Sequence, residues 1–254
     1  MRARTLLAAL LLPAACAADL TTDGDELPVV VERETVMTMN AMTMNALSMN
    51  HLVLSGKLEA MTLNGLTAAA LVSRPGVPEA LSDPDARMFL QYMVSCALPR
   101  SERIELEIDG SVFGFQGELA LAPEWSGSEG SCGPSCRGWV SACMLARVNA
   151  RGEHVPLSVR GEHPGLRVDR HEMKDFGAFE GAYFGDVFNP LQELLACTSD
   201  GKPAARVCGS GAEADSCVID TIGTCQDVCN HPARQRSYGT CDDKTEVVTV
   251  YLEN

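Results

Sequence analysis

Several residues of this chain stand at spacings that chemistry uses. His171-Glu172-Met-Lys-Asp175 approaches the zinc-hydrolase pattern, in which two histidines four residues apart bind metal and the glutamate between acts as base. Asp175 stands where the second histidine should be, and no third ligand is apparent, so no metal site is assigned. The wider set His163, Asp169, His171 and Glu172 offers donors for a cation; the alternative is a solvated charged loop. Gly133-Pro-Ser135-Cys-Arg137 is a near miss to the nucleophile elbow, with Arg137 where a second glycine should permit the tight turn. Flanked by Cys132 and Cys136, Ser135 reads as part of a disulfide-braced loop. Cys143 lies in an apolar helical run, where a thiol is paired or inert. No catalytic residue is assigned, and no cofactor is implied. Phe176, Phe179, Tyr183, Phe184 and Phe188 alternate with Gly177, Gly181 and Gly185, which suits a stacking surface for a glycan or peptide, or a plug in the domain core.

The cysteines carry the clearest signal. Of 11, Cys16 stands alone after an apolar run, and the others lie between Cys96 and Cys241. Downstream of an export signal, pairing is the default over metal thiolates. No C-x-x-C occurs, which argues against a thioredoxin-type site and the usual zinc-ribbon spacing. Cys96, Cys132, Cys136 and Cys143 fall in an ordinary packed domain, implying two internal disulfides. Cys197, Cys208, Cys217, Cys225, Cys229 and Cys241 crowd a short tail, implying three. Connectivity is open, since ten cysteines allow about 945 pairings.

The export signal is Arg2 and Arg4 followed by an uncharged stretch with Leu6, Leu7, Leu10, Leu11 and Leu12, too short for a permanent span. Ala15-Cys16-Ala17 fits ordinary signal cleavage, whereas Ala14-Ala15-Cys16 resembles a lipoprotein signal that would lipidate Cys16. Cysteine parity favours the lipid; Pro13 counts against it, because the expected aliphatic stands one position early, at Leu12. The protein is therefore expected outside the cytoplasm, as an outer-membrane-anchored lipoprotein or an extracellular protein. Acidic residues number 34 against 20 basic, for a formal charge of -14. Such a chain repels nucleic acid and anionic lipid, so membrane contact is expected only through a lipid anchor and the partner is an envelope or extracellular ligand.

Six segments position these residues. Residues 1–18 form the signal and 19–36 an acidic tether. Residues 37–71 repeat the pattern apolar, small, apolar, Asn, small, from Met37-Thr-Met-Asn40 to Met61-Thr-Leu-Asn-Gly65. Five residues do not match a helical period, but they suit one short strand and a corner, as in a β-coil. With fewer than two turns, the repeat either packs on the next domain or remains a spacer. Residues 72–79 are a Pro/Gly linker, 80–196 an α+β core, and 197–254 a cysteine-rich flap with a closing strand.

Within the core, Ser82-Asp83-Pro84 starts a helix whose polar stripe is Asp85, Gln91 and Ser95. Arg103–Ile108 alternates strictly, Asp109-Gly110 signals a hairpin, and Ser111–Phe115 returns. Glu118 to Leu121 and Val155 to Arg160 read as strands, Trp139 to Ala150 as a buried helix, Asn189 to Leu195 as a third helix, and Glu246 to Leu252 as a final strand. The fold class is α+β: a mostly antiparallel sheet with two or three packed helices, disulfide-stapled, preceded by a short β-coil-like repeat.

Leu121-Ala-Pro-Glu-Trp125, Trp139-Val-Ser-Ala-Cys-Met-Leu-Ala-Arg147 and Glu180-Gly-Ala-Tyr-Phe-Gly-Asp-Val-Phe188 resemble segments of uncharacterised exported bacterial envelope proteins with N-terminal Leu/Asn-rich repeats. The resemblance spans about residues 37 to 252 and implies no activity. The expected role is surface display or binding; the alternative is a secreted hydrolase, metal-dependent or using Ser135.

Overall fold

The computed structural model describes residues 37–40, 59, 61–152, 154–232 and 236–254, all within one unit, Thr35–Asn254. The export signal, the acidic tether, Cys16 and residues 41–58 and 60 of the repeat lie outside the described residues. The first repeat supplies strand β1, Met37–Asn40. The fifth is bent rather than extended, and its backbone bonds to the domain. Thr62 O accepts from Cys132 N at 2.7 Å, and Asn64 O accepts from Trp125 Nε1 at 2.9 Å.

Two short helices follow, α1 (Ala68–Val72) and α2 (Val77–Ala80). Helix α3, Pro84–Ala97, starts where capping chemistry requires: Asp83 Oδ1 accepts from Asp85 N at 2.8 Å, and Pro84 occupies the first turn, where its missing N–H costs nothing. The hairpin β2 (Arg103–Ile108) and β3 (Ser111–Gln116) turns at Asp109 and Gly110, whose φ angles of 51° and 75° are the two positive values a type I′ turn needs. Ile104, Leu106 and Ile108 face the core between exposed neighbours.

Residues 118–122 are not a strand. Their amides return to the end of α3 instead: Glu118 N donates to Leu98 O, Leu119 N to Ser95 O, Leu121 N to Cys96 O and Ala122 N to Ala97 O. The last turn of the helix thereby satisfies its orphan carbonyls. Helix α4, Pro134–Ala146, begins before Trp139 because Pro134 opens its first turn, and it ends at Ala146 rather than Ala150.

The main sheet comprises β1, β4 (Val155–Arg160), β5 (Ala178–Asp186), β6 (Glu193–Thr198), β7 (Asp220–Thr224) and β8 (Val248–Leu252), in the order β1-β4-β8-β5-β6-β7. Every pairing is antiparallel except β6 with β7. Asn189-Pro190 does not start a helix. Asn189 Oδ1 accepts from Leu191 N and its carbonyl accepts from Gln192 N, closing a turn that feeds β6 back along β5. Gly185 sits opposite Leu194 with φ 128°, and a Cβ there would fall 1.9 Å from the Glu193 carbonyl oxygen. Only glycine allows the two strands to pair at that point.

The period of two gives the sheet two different faces. Leu157, Val159, Tyr183, Leu194, Ala196, Val248 and Val250 join the main core with α3 and α4. On the opposite face, Ala182, Phe184 and Cys197 pack with Cys225, Cys241 and Val247 in a smaller core made by the flap. The flap also contains α6 (Ala205–Cys208) and α7 (Cys225–Val228). Five disulfides close the structure: Cys96–Cys143, which joins α3 to α4, Cys132–Cys136, Cys197–Cys225, Cys208–Cys217 and Cys229–Cys241. The division is two in the domain and three in the flap, and the molecule is a disulfide-stabilised α+β protein.

Candidate functional site

Most of the residues that chemistry singled out are occupied in holding the fold. Helix α5, Arg170–Asp175, is capped by Asp169, whose Oδ1 accepts from the amides of His171 and Glu172 at 2.8 and 2.9 Å. Glu172 is buried, near enough to Arg160 for its charge to favour the guanidinium. His163 Nδ1 accepts from Gly165 N at 3.1 Å, and its ring lies 5.2 Å from that of Trp139. Burial holds its pKa below the ordinary histidine value, against the opposing charge of Glu124. Among the described residues these four donors do not converge; the sole cluster with metal-ligand spacing is Cys197, Cys229 and Cys241, which are already in disulfides. Ser135 lies in the first turn of α4 beside the Cys132–Cys136 bridge, with no hydrogen bond to either histidine.

The aromatic series is a correction. Phe176, Tyr183, Phe184 and Phe188 are all buried, and Phe179 packs on Tyr238 and Tyr251 with ring centroids 6.0 and 5.5 Å away. Phe188 meets Trp125 edge to face at 5.7 Å. Tyr183 and Phe188 enter the main core and Phe184 the flap core, with Phe179 packed against the latter, so these rings offer no stacking surface.

A cavity of about 720 Å³ opens instead between α3, the end of β3 and the end of α4. Its floor is Arg147, immediately after the last turn of α4, with 6 % of its side chain exposed. Arg147 Nη1 donates to Ser95 Oγ at 2.7 Å, Nη2 donates to Glu118 Oε2 at 3.0 Å, and Ser95 Oγ donates to the same carboxylate oxygen at 2.7 Å. The guanidinium also lies over the Tyr92 ring, 4.7 Å from its centroid. Desolvation lowers the Arg147 pKa while Glu118 opposes the shift; arginine starts so high that the group stays cationic.

The rim is organised by backbone contacts. Gln91 Nε2 donates to Gln116 O at 3.2 Å and its Oε1 accepts from Gln116 N at 3.3 Å. Arg100 stands 3.9 Å from the free side of the Glu118 carboxylate. The wall therefore carries two guanidinium groups against one carboxylate. The Ser95 hydroxyl, donating to the carboxylate and accepting from the guanidinium, is held as the bridge between Glu118 and Arg147.

Gln91 and Ser95 belong to the polar stripe of α3, which faces the cavity rather than open solvent. Sequence reasoning missed Glu118 and Arg147. Arg147 did leave a signal, as the lone charge closing the apolar run Trp139 to Ala146. Comparison with protein-family models, with curated proteins and with solved structures gives no match.

Proposed function

We propose that this is an exported cell-envelope or extracellular protein that binds a small anionic molecule in the cavity above Arg147. The observation that carries the binding reading is a buried guanidinium flooring a space of about 720 Å³, inside the range of small-molecule pockets of about 300 to 1,000 Å³. A chain of net charge -14 that gathers Arg147 and Arg100 around one carboxylate is locally inverted in sign. A ligand carboxylate or phosphate entering there would meet Arg100 at the rim and the amide of Gln91 beside it.

Five disulfides and the apolar N-terminal run support export, and Cys16 supports a lipid anchor. No helix among the described residues is long and apolar enough to cross a membrane.

Calorimetric titration with a panel of small carboxylates and phosphates tests the binding reading. A ligand is expected whose affinity falls about tenfold in Arg100→Ala, the loss of one charge-assisted contact of about 1.4 kcal/mol. Binding that ignores both Arg100→Ala and Gln91→Ala would place the ligand elsewhere. Export is tested separately by intact mass of protein made with its own N-terminus, where a diacyl addition at Cys16 marks the lipidated form.

A further inference from the structure

The flap brings four sulfurs together by construction. Cys197, the penultimate residue of β6, lies on the face away from α4, buried with Ala182 and Phe184. Because β7 runs parallel to β6, with Thr198 opposite Thr224, the next residue, Cys225, arrives beside Cys197 and bonds to it. One turn of α7 then places Cys229 under Cys225, with Cys229 N donating to Cys225 O at 3.1 Å. Cys229 bonds to Cys241 across an isolated bridge.

The two disulfides are therefore in contact, with Cys197 Sγ 3.3 Å from Cys229 Sγ and Cys241 Sγ within 4.8 Å of both. Cys197, Cys225 and Cys241 are buried at 0, 1 and 0 % exposure, whereas Cys229 is partly exposed. Of the four residues Cys229 alone keeps exposed surface, and its sulfur touches the other bridge.

From this we infer that the pair Cys197–Cys225 and Cys229–Cys241 is a redox-active site that accepts electrons from an external dithiol and passes the opening inward by disulfide exchange. The dithiol attacks Cys229 Sγ; the bond to Cys241 breaks and Cys241 leaves as a thiolate. The second sulfur of the dithiol attacks the mixed disulfide, departs as a cyclic disulfide and releases Cys229 as a thiolate. Cys229 then attacks Cys197 Sγ, the Cys197–Cys225 bond breaks, and Cys225 leaves as a thiolate. Two electrons have come from the dithiol, Cys225 and Cys241 have each taken a proton, and one bridge, Cys197–Cys229, remains. The flap stays anchored to β6 while residues 230–240 lose their covalent tie. This inference stands independently of the cavity ligand.

Limited reduction of the full protein with dithiothreitol, trapping with N-ethylmaleimide and peptide mapping tests it; cleavage at Asp227 separates Cys225 from Cys229. Among species that have lost Cys229–Cys241, the Cys197–Cys229 linkage is expected to replace Cys197–Cys225, with the maleimide on Cys225 and Cys241. Persistence of Cys197–Cys225 in those species, or opening of Cys229–Cys241 only together with every other bridge, would overturn the proposal. Cys241→Ser gives the same result without reductant: Cys197–Cys229 with Cys225 free is expected, and Cys197–Cys225 with Cys229 free contradicts it. Should that variant fail to fold, the wild-type mapping decides alone.

Discussion

Arg206 and Glu180 form a buried ion pair in which the two side chains keep 7 % and 6 % of their exposure. The guanidinium also donates to Ala146 O at 3.0 Å and to Val148 O, closing the end of α4, while Glu180 accepts from the Tyr183 hydroxyl at 2.9 Å. One side chain of the flap thereby ties the sheet to the helix that carries the cavity floor.

Replacing that guanidinium by an apolar chain strands Glu180 as an uncompensated buried charge. Arg206→Met is expected to lower unfolding free energy by about 3 to 5 kcal/mol, measured by denaturant titration. Adding Glu180→Leu should recover much of it, because the stranded charge is then gone.

The two domain disulfides close loops of very different length. Cys96–Cys143 spans 47 residues and Cys132–Cys136 spans 4. On chain-entropy grounds, removing the first pair costs about 4 kcal/mol and the second about 2. Paired Cys→Ala variants compared in one denaturant series check the ranking, which reverses if local packing rather than loop closure dominates.

Acid should weaken the fold partly through His163. Its depressed pKa means that the unfolded chain takes up the proton first, so stability is lost as pH falls from about 6.5 through the lower folded value. The protonated ring also loses the lone pair that accepts from Gly165 N. His163→Gln should remove this part of the decline, read as the difference between the two stability curves from pH 7 to 5.

At Gly185 the backbone has φ 128° and the Glu193 carbonyl occupies the space of a side chain. Gly185→Ala is expected to cost at least about 2 kcal/mol through strain and broken β5–β6 pairing. Amide exchange of β6 should rise in the same variant.

What the sequence disclosed follows from how local each signal is. The hairpin at Asp109-Gly110 and the start of α3 at Asp83-Pro84 are written in adjacent residues, and both stand where expected. The closing strand was legible from its β-branched run, and the two-plus-three division of bridges from cysteine density. Asn189-Pro190 misled because an Asx turn and a helix start share the same residues, and the six-residue segment that follows cannot show its period. Residues 118–121 misled because alternation cannot reveal that their amides cap a helix. The cavity was least visible: Ser95, Glu118 and Arg147 meet across separations of 23, 29 and 52 residues. Such a meeting is decided by tertiary packing.

Strand β8 lies between β4 and β5, near the middle of the sheet although it is the last strand to be made. Until residue 252 is available, β4 and β5 each present an open edge, and the main core lacks Val248 and Val250. A chain emerging from its N-terminus cannot complete this sheet stepwise; closure waits for one long-range insertion. Such a polypeptide stays threadable until Leu252 has been made, and the sheet locks only when β8 slides home.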